Sequence, residues 1–185
     1  MRLLDPRTPL TRPDRLLVAG ASGSGKSTFC RAASQALGLP YTELDSLFHG
    51  PGWTRRPEFE ADVAALADRD RWVVEWQYRD VRSLLVDRAE VVVWLDLPRR
   101  TQMRQVVART VRRRLRREEL WNGNTEPPLH RFVTDRDHIV RWAWRTQPLV
   151  AGTLADYVAH RPGLPVVRMR SHAEAYAWLR RVAQT

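Results

Sequence analysis

Lysine is almost absent from this chain of 185 residues: of 31 Lys and Arg residues, Lys26 is the one lysine and all others are arginines. Cysteine is just as scarce. Cys30 stands alone, which excludes an internal disulfide and any cysteine-built zinc site. The five histidines are scattered, with no pair at metal-ligand spacing. No apolar run approaches the ~18 residues of a membrane span. The N-terminus, Met-Arg-Leu-Leu-Asp-Pro, lacks the apolar core of a secretion signal, so a cytoplasmic protein without a membrane segment is expected. Acids are outnumbered, 21 against 31, leaving a formal charge of +10. That excess suits nucleic acid. Yet Arg104, Arg109, Arg112, Arg113, Arg114, Arg116 and Arg117 crowd into one segment, a clustering equally suited to a lid over phosphates.

The lone lysine falls inside Gly20-Ala-Ser-Gly-Ser-Gly-Lys-Ser27, which fits the phosphate-binding P-loop (Walker A) pattern G-x-x-x-x-G-K-[ST]. Glycines at 20, 23 and 25 let the backbone curl so that its amides, with Ser22, Ser24 and Thr28, surround phosphate oxygens. Lys26 would reach the β- and γ-phosphates of ATP, and Ser27 would ligate Mg²⁺. The context agrees. Leu16-Leu-Val-Ala19 is an apolar run for a buried strand, and Phe29, Ala32, Ala33, Ala36 and Leu37 recur at helical spacing up to Gly38 and Pro40.

Residues 1–14 carry Pro6, Pro9 and Pro13 and read as an irregular leader before one domain, 15–185. Strands are expected at about 15–19, 41–44, 72–74, 91–95 and 165–169, most of them continuously apolar. Alternating with helices, such strands imply a parallel sheet covered on both faces, a three-layer α/β fold. A helix is expected from Pro57, with Phe59, Val63, Leu66 and Ala67 on one face. Another runs from Pro98 to about Arg117, with Met103, Val107, Val111 and Leu115 toward the core and Arg109, Arg112, Arg113 and Arg116 opposite. Those four like charges repel one another unless polyphosphate, or Glu118 and Glu119, relieves them. Trp121-Asn-Gly-Asn124 reads as a turn. A further helix carries Trp142 and Trp144, and the last helix carries Ala175, Trp178, Leu179 and Val182.

Three carboxylates end strands. Glu75, closing the third, is the leading metal-side residue; Asp96, closing the fourth, is the alternative, although Asp96-Leu-Pro98 also suits helix entry. Asp45, after the second, faces the sheet edge where open α/β folds bind ligands. There it could accept a proton or a hydrogen bond from an acceptor hydroxyl, or simply cap a short helix.

With these residues in view, the chain resembles small P-loop kinases of the adenylate kinase type, and most the bacterial group labelled DNA topology modulation protein. The stretches that carry the likeness are Gly20 to Ser27, Leu44-Asp45 followed by Pro51-Gly-Trp53, Val93-Trp-Leu-Asp-Leu-Pro98, Arg112 to Asn124, and Trp142-Ala-Trp-Arg-Thr146. The resemblance implies the P-loop NTPase fold of nucleoside monophosphate kinases, with a five-stranded parallel sheet and an arginine lid at about 109–128. It implies transfer of the ATP γ-phosphate, with Mg²⁺, to a small-molecule or nucleotide acceptor. Arg109, Arg112, Arg113, Arg116 and Arg145 would close on the phosphates, and Asp45 would meet the acceptor beside Trp53 and Trp76. Arg79, with Arg82 as competitor, matches the family arginine that binds an acceptor phosphate. One stretch departs: Glu75-Trp-Gln-Tyr78 stands where the group has Asp-Gly-Asn-Tyr, so a bulky ring replaces a glycine. The rival expectation is a nucleic-acid-binding regulator switched by ATP, whose affinity would be salt-sensitive.

Overall fold

The computed structural model describes residues 1–116, 118–124 and 139–185. Five strands, β1 (Arg2–Leu4), β2 (Arg15–Gly20), β3 (Trp72–Glu75), β4 (Val91–Leu95) and β5 (Pro165–Met169), form one sheet in the order β1-β5-β4-β2-β3. Every neighbouring pair is parallel. Parallel strands need crossovers, and eight described helices supply them: α1 (Lys26–Leu37), α2 (Leu44–Phe48), α3 (Phe59–Ala67), α4 (Arg82–Arg88), α5 (Arg99–Arg116), α6 (Ile139–Thr146), α7 (Val150–Val158) and α8 (His172–Val182). None of the described helices is long and apolar enough to cross a membrane.

Helices cover both faces, which is why β3 and β4 are buried along their whole length. Alternate residues serve opposite layers. Leu17, Ala19, Val74, Val92 and Trp94 pack with Phe59, Leu85 and Leu154 from α3, α4 and α7. Leu16, Val18, Val73, Val93 and Leu95 pack with Phe29, Leu37, Trp178 and Leu179 from α1 and α8. The glycine loop therefore leaves the carboxyl end of a strand flanked on both sides.

Three details differ from the sequence reading. Within the expected leader, Arg2–Leu4 pairs with Pro165–Val167 as an edge strand. The expected second strand shrinks to a single bridge from Tyr41 to Val73, because Leu44 drops into the core and starts α2. The third difference is in α5. Its buried row is Gln102, Val106 and Thr110, whereas Val107, Val111 and Leu115 are exposed. The cause is a close approach: a Cβ on Gly23 would stand 2.4 Å from Val106 Cγ2 and 2.6 Å from the Gln102 carbonyl oxygen. Helix α5 lies on the P-loop along that row, and this contact overrides the more apolar row beside it. Arg117 and residues 125–128 of the expected lid lie outside the described residues.

The corrected face makes a stability prediction. Val106 is 0% exposed and Leu115 75% exposed. Val106→Ala should cost about 2 kcal/mol in urea unfolding, and Leu115→Ala less than about 0.5 kcal/mol. The reverse ranking would restore the Met103–Leu115 face as the buried one.

Candidate active site

The phosphate cradle is built by backbone geometry. Gly23 and Gly25 have φ of 78° and 88°, a region that disfavours side chains, and a Cβ on Gly25 would meet His172 Nε2 at 2.9 Å. His172, unnoticed in the sequence, lies with Nε2 3.1 Å from the Ser24 carbonyl oxygen and braces the loop from α8. Helix α1 begins at Lys26, so the amides of Lys26, Ser27 and Thr28 have no intrahelical acceptor and their positive end faces out of the helix. Ser24 is buried, and its hydroxyl has no hydrogen-bond partner among the described residues. Ser22 is half-buried and Thr28 exposed. A loop of unsatisfied donors with no room for side chains fits a polyphosphate.

Lys26 folds back, donating from Nζ to the Ala21 carbonyl oxygen at 3.2 Å. Desolvation pulls its pKa below the usual lysine value and the nearby positive charge of Arg109 adds to this, while Glu75 and Asp45 oppose both. Bound phosphate would add negative charge where the ammonium is short of it.

Glu75 is 2% exposed. Its oxygens accept from the Tyr41 hydroxyl at 2.8 Å and from Gln77 Nε2 at 2.5 Å. Among the described residues no cluster of three or more His, Cys, Asp or Glu could cage a cation. A Mg²⁺ here would therefore have to be carried mainly by phosphates and waters, and a hydroxyl and a buried carboxylate such as those of Ser27 and Glu75 fit that kind of site. The alternative acid is otherwise engaged: Asp96 accepts from Arg168 Nε at 2.7 Å and again from its Nη2. Asp96 and Arg168 line a cavity of about 170 Å³ with Ala21, Gln102 and Gln147, and neither Lys26 nor Asp45 lines it.

Asp45 sits in the first turn of α2, half-buried, where its carboxylate accepts from the Tyr78 hydroxyl. Burial raises its pKa, against the lowering effect of that hydrogen bond; Glu75 raises it further, and His49 and Lys26 lower it. His49 follows one turn later, its amide donating to the Asp45 carbonyl oxygen at 3.0 Å. The sequence reading missed both partners. The i, i+4 spacing of Asp45 and His49 was a signal for one of them, and Tyr78 stood in the stretch that departs from the family.

The remaining expected residues scatter more widely. Arg113 lies with its guanidinium 5.6 Å from the Trp121 ring centroid. Arg112 and Arg113 reach Glu118 at 3.4 and 3.9 Å, so an acid relieves part of the arginine repulsion. Arg116, Arg145 and Arg79 are exposed. Trp76 is corrected: at 4% exposure it packs edge-on against Tyr157, with Arg82 stacked 4.5 Å from its ring centroid. Its ring packs into the core between α4 and α7. Trp53 remains at the surface, 38% exposed. Asn124, read from sequence only as part of a turn, is a clasp. It donates to the Gly50 and Trp121 carbonyl oxygens at 2.9 and 2.8 Å and accepts from the Trp53 amide at 2.9 Å. The segment after α5 is thereby fastened to the loop after Asp45.

No protein-family model matches the chain, and no curated protein matches it. Solved structures do. A gluconokinase from Sinorhizobium meliloti 1021 superposes over 95% of this chain and 96% of its own at 22% identity, TM-score 0.51. A candidate kinase from Chloroflexus aurantiacus j-10-fl superposes over 91% and 96% at 15% identity, TM-score 0.53. At such identities the likeness establishes the fold: a five-stranded parallel sheet between helical layers, that of P-loop kinases.

Asp45 generates a prediction in stability. A carboxyl whose folded pKa is raised costs stability once ionised, so Asp45→Asn should raise the stability of the protein near neutral pH. The gain should shrink as pH falls through the raised folded pKa, and vanish below the unfolded pKa, where both states are protonated. Urea unfolding across pH checks this; a variant less stable at neutral pH would contradict the assignment.

Proposed function

We propose that this protein is a kinase that transfers the γ-phosphoryl group of ATP to a hydroxyl of a small-molecule or nucleotide acceptor. The observation that carries the reading is the juxtaposition of Lys26 and Asp45. The only lysine heads α1 behind the glycine loop, and Asp45, half-buried and held by the Tyr78 hydroxyl in the first turn of α2, lies near enough to act on it. Phosphate binding alone needs no such carboxylate; transfer to a hydroxyl uses one as proton acceptor.

In this reading the P-loop amides from Gly20 to Thr28, including those of Ser22, Gly23, Ser24 and Gly25, hold the donor phosphates. Lys26 and Arg109 neutralise their charge. Ser27, and Glu75 through a water, would hold Mg²⁺, which would supply further charge neutralisation to the donor phosphates. Asp45 takes the proton as the acceptor oxygen bonds to the γ-phosphorus. The bond from that phosphorus to the bridging oxygen breaks, and its electron pair leaves with ADP. Arg112, Arg113 and Arg116 belong to the lid, and they and Arg145 from α6 would close on the transferring group. Trp53 and Arg79 border the acceptor side, and Arg82 is reassigned to holding Trp76. The finer likeness to the topology modulation group rests on the stretches from Arg112 to Asn124 and around Trp142.

Lys26→Met tests donor binding. Because the native ammonium is desolvated, the apo melting temperature should not fall. ATP·Mg²⁺ at a hundredfold its native Kd stabilises the native protein by about 2.7 kcal/mol, and the variant should lose most of that gain. A variant still stabilised by ATP·Mg²⁺, or one that melts well below the native apo protein, would contradict the role given to Lys26.

A further inference from the structure

Among the described residues, three without the freedom of glycine have positive φ: Trp53 at 61°, Tyr78 at 53° and Asn122 at 55°. They come from three separate segments, and all three meet His49. The Trp53 ring stands edge-on, 4.9 Å between centroids. The Tyr78 hydroxyl lies 3.3 Å from Nε2. Asn122 donates from its side-chain amide to the His49 carbonyl oxygen. Phe48 and Trp121 close the cage, at 5.0 and 6.0 Å between centroids. Bulky residues adopt such backbone conformations only where their surroundings enforce them, and these concentrate at functional sites. Here they converge on one imidazole that donor binding does not use.

Counting protons gives that imidazole a role. Tyr78 has one hydroxyl hydrogen and an ionised carboxylate can only accept, so in its bond with Asp45 the phenol is the donor. Its oxygen then meets His49 Nε2 with lone pairs alone, and the imidazole must carry hydrogen on Nε2. Nδ1 is buried and has no hydrogen-bond partner among the described residues. A bare lone pair there is tolerated better than an orphaned N–H. Burial lowers the pKa of the ring, although Asp45 opposes this. The guanidinium of Arg55 lies 5.7 Å from the Phe48 ring centroid and that of Arg113 lies over Trp121, both behind cage walls. Lys26, Glu75 and Glu43 act on the Asp45–Tyr78 side of the network.

We propose that His49 is a positioning residue for Asp45: its Nε2–H donates to Tyr78 Oη and commits the phenol's only proton to Asp45 Oδ1, leaving the second carboxylate oxygen to receive the proton of the acceptor hydroxyl. The opposite tautomer would present a lone pair at Nε2 and compete with Asp45 for the phenolic proton. That tautomer would also put an N–H on the buried Nδ1, which has no hydrogen-bond partner among the described residues. The catalytic consequence rests on the kinase reading; the tautomer and the hydrogen-bond chain do not.

Two measurements on the full chain test it. Long-range ¹H–¹⁵N spectra of protein labelled in histidine, with the His49 signal assigned by its loss in His49→Gln, report which ring nitrogen carries hydrogen. The neutral Nε2–H form should dominate at neutral pH, and Tyr78→Phe should release the Nδ1–H form. A dominant Nδ1–H form, or a tautomer indifferent to Tyr78→Phe, would overturn the proposal. The second measurement is ADP release from ATP·Mg²⁺ with water as acceptor. His49→Phe keeps an aromatic ring without a donor and should lower kcat about tenfold or more, with KM for ATP unchanged. His49→Gln, whose amide can donate, should recover most of the loss. The double variant His49→Phe/Tyr78→Phe should be no slower than Tyr78→Phe alone. Losses that multiply, or full activity in His49→Phe, would make His49 a packing residue only. A native protein that releases no ADP would count against the kinase reading, and the tautomer measurement would still decide the hydrogen-bond chain.

Discussion

The interaction on which the site depends is the placing of one ammonium at the mouth of a glycine loop. Lys26 is kept short of solvent, and two carboxylates, Glu75 and Asp45, partly offset that loss while Arg109 adds to it. The loop can hold this position because helix α5 leans on it so closely that Gly23 has no room for a Cβ. Sheet, loop and helix α5 therefore meet at one point. In the proposed reading anionic phosphate would complete the charge balance there and turn the deficit into affinity for the donor.

The acceptor side is organised from a different direction. Asp45 lies on a helix of only five residues, too short to be rigid by itself. Its carboxylate is fixed by Tyr78, and the loop that follows is fixed by Asn124 and Asn122 from the segment beyond α5. Burying a carboxylate and bending Trp53 and Tyr78 into positive φ each cost stability, on the order of 1–3 kcal/mol per strained residue. Pre-organisation of a reactive group is the usual return for such costs.

Much of this was legible from residue order. The strands expected at 72–74, 91–95 and 165–169, and helix α8 with Ala175, Trp178, Leu179 and Val182 buried, all follow from continuous apolar runs and helical spacing. What was not legible depends on contacts distant in sequence. The α5 face turned on Gly23, which no periodicity encodes: a row holding Gln102 and Thr110 is buried in preference to a more apolar one. Strand β1 has three residues and exists because β5, more than 150 positions away, offers an edge. Trp76, whose indole no periodicity placed, turned its ring inward against Tyr157. Within the site, Lys26, Asp45 and Glu75 could be named from motif and strand ends. His49, Tyr78, Asn124 and His172 matter through hydrogen bonds that only the folded chain reveals.

The central claim is that the Lys26 cradle and Asp45 belong to one phosphoryl-transfer centre. It is tested most directly by following label from [γ-³²P]ATP into a pool of small hydroxyl compounds (sugars, nucleosides, nucleotides and amino alcohols), comparing the native protein with Asp45→Asn. The account predicts a labelled hydroxyl product with the native protein, and a fall of about a hundredfold or more in transfer for Asp45→Asn, with ATP·Mg²⁺ binding retained. Label transferred equally well by Asp45→Asn, or ATP·Mg²⁺ bound by the native protein with no hydroxyl compound ever labelled, would contradict it.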